Sequence, residues 1–208
     1  MKGRILAQAL SLTLLLPVFA AAEPITYKAD KAHSGVSFSV RHFVTNVQGR
    51  FKDFDGVIKY DPQSPAASSV QFTVKAASVD TGNNDRDEHL RSDAFFNVEK
   101  NPTWNFVSSK VVAKDKTHMD VTGDLTMNGV TKTITVPVEY LGSVKTPRGD
   151  KAGFETSFTV NRKEYGINYN QMIEAGSVIG DDVKVTLTIE ANRDAGTPPA
   201  AAAPKPGR

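Results

Sequence analysis

The sequence predicts an all-β fold of antiparallel strands. Its main signal is a two-residue period that places apolar and polar side chains on opposite faces, as in Val36, Phe38, Val40 and His42 against Ser37, Ser39 and Arg41. The period returns in residues 70–76, 134–138, 154–160 and 183–189. Such alternation puts one face of each strand on a core and the other in water. Turn residues separate these segments, so a barrel or a sandwich is expected.

The turns have recognisable chemistry. Asp61-Pro62 and residues 147–150 (Pro-Arg-Gly-Asp) carry residues that favour turns. Asn128-Gly129 lies between two alternating runs, which is a strong signal for a two-residue hairpin turn. Neighbouring strands are therefore expected to be antiparallel.

Residues 1–22 have the organisation of a secretory signal peptide. Lys2 and Arg4 precede an apolar run from Ile5 to Phe19, and three alanines follow at 20–22. At roughly 15 residues the run is too short for a good membrane span. We expect cleavage after Ala22 and a protein that is periplasmic or secreted.

Charge and cysteine content limit the partners. The chain has 25 Lys and Arg and 23 Asp and Glu. Loss of Lys2 and Arg4 makes the mature protein formally neutral, without the basic excess that nucleic acid requires or that attracts a protein to an anionic membrane. We expect no nucleic-acid partner and no stable membrane span. Without cysteine there is no disulfide framework, so a buried core must stabilise the fold.

Residues 23–193 are expected to form one domain. The segment 194–208 is rich in Pro and Ala, lacks alternation and is expected to be a disordered tail.

Residues 83–96 break the two-residue period and predict a short helical segment. Asn83 or Asn84 is a suitable N-cap, and acidic residues follow in the first turn, near the positive end of the helix dipole. Leu90 is expected to reach inward, and a second turn is expected around residues 93–96. On an all-β chain this helix would lie across an opening, where it could gate access to the interior.

A series of motifs, in one order over residues 25–193, resembles the YceI-like family of polyisoprenoid-binding proteins. The motifs are Asp30-x-x-His33-Ser34-x-Val36-x-Phe38-x-Val40-x-His42, Gly49-x-Phe51-x-x-Phe54-x-Gly56, Tyr60-Asp61, Ser78-Val79-Asp80-Thr81-Gly82-Asn83, Arg86-Asp87-x-His89-Leu90-Arg91-Ser92, Phe95-Phe96, Pro102-x-x-x-Phe106-x-Ser108, Gly123-Asp124-Leu125-Thr126-x-x-Gly129, Asn161-Arg162-x-x-Tyr165-Gly166-Ile167 and Gly180-Asp181-x-Val183. Each motif alone is weak, and it is their common order that carries the resemblance.

The resemblance implies an extended, eight-stranded, lipocalin-like barrel whose apolar tunnel holds a long-chain lipid. An isoprenoid, quinone-like or polyprenyl, or a related lipid would be bound, stored or carried without being transformed. The protein would then be no enzyme, would need no cofactor besides the bound lipid, and a homodimer stays open. Inward-facing aromatic residues could also simply fill a core.

The expected site follows from strand parity together with the resemblance. The lipid-contacting residues are expected to be Phe38, Val40, His42, Phe72, Phe95, Phe96, Phe106, Leu125, Ile134, Val136 and Phe158. A polar head group at the mouth is expected to contact His42, Asp80, Arg86 or His89.

No metal site is predicted. No pair among the four histidines has the spacing of a known zinc site. An EF-hand loop that began at Asp80 would need Gly at its sixth position and Glu at its twelfth, where the chain has Asp85 and Arg91. We expect instead a turn and a helix cap, in which Arg86 and Arg91 pair with the neighbouring carboxylates.

Two other functions stay open. The acidic residues together with His89 could act as an acid–base pair in an exported hydrolase-like protein, although the sequence has no G-x-S-x-G elbow. An exported stress or adhesion module would act through its outer surface.

Overall fold

The described residues form thirteen strands and one α-helix. A computed structural model describes residues 23–170, 172–173, 176–194 and 196. The strands are β1 (Ile25–Ala29), β2 (Gly35–His42), β3 (Thr45–Phe51), β4 (Phe54–Tyr60), β5 (Ser69–Lys75), β6 (Val79–Asp80), β7 (Thr103–Ala113), β8 (His118–Met127), β9 (Val130–Thr146), β10 (Gly149–Asn161), β11 (Met172–Ile173), β12 (Gly176–Ser177) and β13 (Ile179–Arg193). The helix is α1 (Asn84–Arg91), and short 3₁₀ helices span Pro65–Ala67, Ala76–Ser78 and Arg162–Tyr165.

Eight of these strands close an antiparallel barrel in the order β1, β4, β5, β7, β8, β9, β10 and β13. The ring closes where β1 pairs with the end of β13. The first part of β13 pairs instead with β2, which continues the wall through β3 and β6. The predicted all-β, eight-stranded barrel is therefore confirmed.

The interior follows from the alternation of side chains. In β4 the buried residues are Phe54, Gly56, Ile58 and Tyr60, and the residues between them are exposed. In β8 the buried residues are Met119, Val121, Gly123, Leu125 and Met127. Most of these inward residues belong to the main hydrophobic core, and Leu125 and Met127 belong to a smaller second cluster.

The two ends of the barrel differ. The helix end carries α1, the β2–β3 turn at residues 43–44 and the β8–β9 turn at Asn128-Gly129. The β8–β9 turn has the predicted two-residue form, since Met127 pairs with Val130, and φ is +50° at Asn128 and +77° at Gly129. The opposite end, here the tyrosine end, contains Tyr60 and Tyr140.

Helix α1 confirms the predicted helical segment and its cap. The Asn83 side chain accepts a hydrogen bond from the backbone N–H of Arg86 at 3.0 Å. The helix ends at Arg91, where the N–H of Ser92 donates to the carbonyls of Glu88 and His89. Residues 93–96 form the second predicted turn.

The predicted pairing of Arg86 and Arg91 with carboxylates is wrong. Arg86 donates to the hydroxyl and carbonyl oxygens of Thr81, and Arg91 donates to two backbone carbonyls. Asp80 pairs instead with Arg50, with 3.0 Å between Arg50 Nη2 and Asp80 Oδ2. The cause is the pairing of β6 with β3, which sets Arg50 opposite Asp80. Local spacing along the sequence does not show such a long-range pair.

Three expectations concern the chain ends and the membrane. The predicted signal peptide at 1–22 lies outside the described residues, as does nearly all of the predicted tail. Of the predicted tail, Asp194 and Gly196 are described, and the carboxylate of Asp194 is 3.0 Å from Lys28 Nζ. Among the helices of the described part, none is long and apolar enough to cross a membrane.

Gly123 marks a close approach of two strands. A Cβ at this position would lie 2.5 Å from the carbonyl oxygen of Val107 and 2.7 Å from Phe106 Cζ. We therefore expect Gly123→Ala to lower the free energy of unfolding by about 1–3 kcal/mol, because the backbone of β7 must move. Gly35 is the matched control, since no atom would lie within 4 Å of its Cβ. Urea denaturation of both variants measures the difference, and equal stabilities would contradict the close approach.

Candidate functional site

The interior contains an apolar cavity of about 170 Å³ toward the helix end. Most of its wall comes from residues of β2, β3, β5, β7, β8, β10 and β13, together with Leu90, Phe95 and Phe96 from the helical segment. Apolar cavities of this size class stay dry and bind small apolar molecules. This space can therefore hold hydrocarbon.

A second apolar cavity, of about 120 Å³, lies toward the tyrosine end. Five residues line both cavities and form a waist between them: Phe72, Phe106, Leu125, Phe158 and Leu187. The two spaces thus follow one another along the barrel. Side-chain movement at the waist would join them into one long tunnel.

The wall of the first cavity contains the indole N–H of Trp104, which is buried without a hydrogen-bond partner among the described residues. It also contains three further polar residues, each of which is bonded within the protein. The Ser37 hydroxyl donates to the carbonyl of Thr186. Asn105 accepts from the Thr73 hydroxyl and donates to that of Thr103. Arg162 is the third. Their polar atoms are therefore already engaged without a ligand.

Arg162 is 4% exposed, and its guanidinium hydrogen-bonds separate segments of the chain at the helix end. Its Nε donates to the carbonyl of Gly180 at 2.9 Å, and its Nη1 donates to the carbonyls of Ile167 and Tyr169 at 2.7 and 2.8 Å. Asp181 Oδ1 lies 3.4 Å from Nη2. Burial lowers the pKa of the guanidinium, and Asp181 opposes this shift. Because the charged end is bound to these oxygens, the methylene stem is what remains for the cavity wall.

An aromatic contact covers the helix end of the first cavity. The ring of His89 meets the rings of Phe95 and Tyr169 edge-on, with centroids 5.0 and 4.8 Å apart. Phe95 and Tyr169 lie 4.7 Å apart. The helical segment is thereby packed against residues that follow β10.

The tyrosine end is closed by rings from distant strands. The Tyr60 ring lies 4.6 Å from Tyr140 and 5.4 Å from Phe154. Tyr60 lines the second cavity and is buried. Burial, together with Tyr140, Asp61 and Tyr27, raises the pKa of Tyr60 to about 12.

Most of the expected lipid-contacting residues face the two cavities. The residues in the wall of the first cavity are Phe38, Val40, Phe72, Phe95, Phe96, Phe106, Leu125 and Phe158. Val136 lines the second cavity. Ile134 packs in the core outside both walls. His42 lies outside them too, at the end of β2, where its ring meets Phe43 edge-on.

The structure does not bring the expected head-group residues into the cavities. Asp80 bonds Arg50 and the N–H of Gly82. Arg86 bonds Thr81, and His89 contacts the aromatic cover from an exposed position. The expected head-group residues belong to the helix end of the barrel and lie outside both cavity walls.

Arg162 and Leu187 were missed by the sequence reasoning, although strand parity marks both. Arg162 continues the inward series of Phe158 and Val160. Its charge argued against an inward position, and the carbonyls that bind it come from a segment with no period. Leu187 belongs to an alternating run, which marks it as inward but does not distinguish a wall residue from a core residue.

One group of potential metal ligands occurs among the described residues: Asp30, His33 and Glu190. The ammonium of Lys151 bonds Glu190 and lies 3.5 Å from Asp30. Hydrogen bonds from His33, Asn192 and the N–H of Ala32 lower the pKa of Asp30. In this arrangement the carboxylates are already paired with the ammonium of Lys151.

The chain is similar to known proteins over nearly all of the barrel. A model of the YceI-like domain matches residues 27–191. A UPF0312 protein of Pseudomonas paraeruginosa is 40% identical over 171 residues, which cover 80% of this chain and 86% of that one. The crystal structure of Burkholderia cenocepacia BcnA superposes with a TM-score of 0.72 and 26% identity, over 79% of this chain and 99% of that one.

A further structural neighbour is a polyisoprenoid binding domain from Saccharophagus degradans. It has a TM-score of 0.59 and 15% identity, and the match covers 82% of this chain and 99% of that one. At this identity the likeness concerns the fold.

The raised pKa of Tyr60 predicts a loss of stability in alkali. Between pH 10 and about pH 12 the unfolded chain releases the phenolic proton while the folded protein keeps it. The free energy of unfolding should therefore fall as the pH rises through this window. Tyr60→Phe removes this titration and should flatten the fall, as measured by urea denaturation at several pH values. An unchanged slope in the variant would contradict the assignment to Tyr60.

Proposed function

The chain belongs to the YceI-like family, and from this premise we propose that its barrel binds the hydrocarbon chain of a long lipid. The ligand class is an isoprenoid, quinone-like or polyprenyl, or a related long-chain lipid. The protein stores or carries this lipid without transforming it.

The two cavities in series are the observation that carries the proposal. Each buried methylene contributes roughly 0.8 kcal/mol, so an apolar wall alone can hold a long chain tightly. Ser37, Asn105 and Arg162 are bonded within the protein, so among the described wall residues the buried indole N–H of Trp104 is the polar group left without a partner. Selection in the tunnel therefore rests mainly on chain length and width.

The head group stays at the helix end in this arrangement. An uncompensated polar group is costly to bury in an apolar cavity. The candidate contacts are His42, Asp80, Arg86 and His89, which belong to this end of the barrel and can meet a head group that is still partly in water.

The isoprenoid class is supported by the name of the Saccharophagus degradans domain, whose barrel resembles this one. A branched prenyl chain and a straight acyl chain both suit an apolar tunnel, and the experiment below separates them.

Binding without catalysis fits the composition of the first cavity wall. Within the described residues, this wall contains neither histidine nor carboxylate to act as a general base. Glu155 and Lys59 border the second cavity from exposed positions on their strands.

The cellular setting completes the proposal. Residues 1–22 direct export and are removed after Ala22, residues 23–193 form the lipid-binding domain, and residues 194–208 are a tail. The mature protein works in the periplasm or outside the cell.

Native mass spectrometry of the protein purified from its own cells, followed by organic extraction, tests the proposal. We expect a stoichiometric long-chain lipid, which the extract identifies as prenyl or acyl. The bare polypeptide mass, with no uptake of added polyprenyl quinone, would overturn lipid binding while leaving the fold unaffected.

A substitution at the waist tests where the hydrocarbon chain of the lipid lies. Leu187→Trp fills the passage between the two cavities and should reduce the mass of retained lipid or shorten the longest chain held. Val57→Trp adds the same side chain on an outward face of β4 and should retain the wild-type lipid. Circular dichroism confirms that both variants fold. Equal lipid content in the two variants would place the ligand elsewhere.

The aromatic cover predicts a gate at the helix end. His89→Ala removes two ring contacts, of the kind worth about 0.5–1.5 kcal/mol each. We expect a bound fluorescent lipid to transfer to acceptor vesicles several-fold faster from this variant. Glu88→Ala, on the same helix, is the control. Unchanged exchange in the His89 variant would show that the helical segment is no gate.

A further inference from the structure

The β2–β3 turn exposes two adjacent large apolar side chains. Phe43 is 49% exposed and Val44 is 86% exposed. Together they form a tip, here the Phe43–Val44 tip, beyond the last pair of the hairpin, His42 with Thr45. Single exposed apolar residues are common, but two at the end of a hairpin form a compact protruding apolar surface.

The turn is built from residues that suit its backbone poorly. Phe43 has a φ of +48°, a region that bulky residues rarely adopt and that hairpin turns normally give to Gly or Asn. The β8–β9 turn at the same end uses Asn128 and Gly129 instead. The tip therefore keeps its apolar residues at the expense of local turn propensity, which points to a role outside the fold.

The backbone N–H and carbonyl of Phe43 are already hydrogen-bonded. The N–H of Phe43 donates to the carbonyl of Val178 at 3.0 Å. The carbonyl of Phe43 accepts from Arg41 Nε at 2.9 Å. These bonds lower the cost of moving the tip into an apolar medium, where unpaired peptide groups are expensive.

The charges around the tip also allow such a transfer. From Gly35 to Phe51 the hairpin contains no Asp or Glu, so none of its side chains is a carboxylate that must lose water. On the neighbouring strand β13, Asp181 is paired with Arg162 and Lys163, and Asp182 lies near Asn161. Arg41 has a long side chain whose charge can stay in the polar interface while its stem lies in apolar surroundings.

The tip stands beside the first cavity. His42 pairs with Ile179, a residue of the cavity wall, and Phe43 bonds the adjacent Val178. A partner that binds the tip therefore also faces the helix end of the barrel.

We propose that the Phe43–Val44 tip inserts into the interface of a lipid bilayer and docks the helix end of the barrel on it. Two side chains bury far less area than a stable protein–protein interface, which needs about 1,000 Å² or more. A bilayer, in contrast, accepts an apolar tip without a shaped partner site. Since the mature chain is formally neutral, the contact is apolar and reversible, with little dependence on salt.

Vesicle flotation tests the proposal. The probe is phosphatidylcholine vesicles with and without phosphatidylglycerol, and the protein is used in the form that its host accumulates, with the N-terminus determined by mass spectrometry. Phe43→Gly with Val44→Ser gives the turn a sequence suited to positive φ and removes the apolar tip. We expect wild-type protein to float with both vesicle types and the double variant to lose about tenfold or more of its partitioning.

Leu141→Ser with Val144→Ser is the matched control. These β9 residues are 53% and 57% exposed and lie on the strand that leads away from the helix end. This variant should float like the wild type. Failure of the wild type to float, or equal losses in both double variants, would overturn the proposal. Flotation measures only membrane contact, so its outcome is independent of which lipid mass spectrometry finds bound in the barrel.

Discussion

Strand β13 pairs on both sides, and the closed barrel depends on this. One side meets β10, from Lys151 with Asn192 to Asn161 with Asp182. The other side is divided, since β2 pairs with residues 179–188 and β1 with residues 191–193. Closure removes the open sheet edges of the ring and fixes the distance across it. Inward side chains of eight strands then meet across an interior just wide enough to leave room for a ligand. The two cavities are the volume that these side chains leave free.

Local signals predicted the features that depend on neighbours in the chain. The two-residue period, the Asn128-Gly129 turn and the Asn83 cap each need only a few consecutive residues, and all three are found. Parity likewise directed Phe38 and Phe158 correctly inward. Parity could not distinguish a residue that lines a cavity from one in a filled core, because this depends on the side chains across the barrel. Ile134 was therefore expected in the cavity wall but lies outside it. The pair of Arg50 and Asp80 was missed because residues 50 and 80 meet only through the pairing of β3 with β6.

The two ends of the barrel are held by different kinds of contact, so one end is expected to open more easily than the other. At the tyrosine end, Tyr60, Tyr140 and Phe154 are carried on strands paired on both sides. At the helix end, Leu90 and Phe95 come from a segment held by side-chain contacts and a few turn hydrogen bonds. A segment without a strand ladder opens more easily than the barrel wall does. A lipid chain is therefore expected to enter and leave at the helix end.

This route connects the cavity with the exposed tip. A chain of about ten methylenes that passed through water would cost on the order of 8 kcal/mol at 0.8 kcal/mol for each methylene. This cost is avoided if the open end of the barrel touches the bilayer while the chain moves. An apolar contact would also have the right strength for the proposed carrier, since two side chains would hold the barrel only weakly and would allow it to leave once loaded. A strongly basic rim would bind more tightly to an anionic surface and would slow release, and the formally neutral charge of residues 23–208 is consistent with the weaker mode.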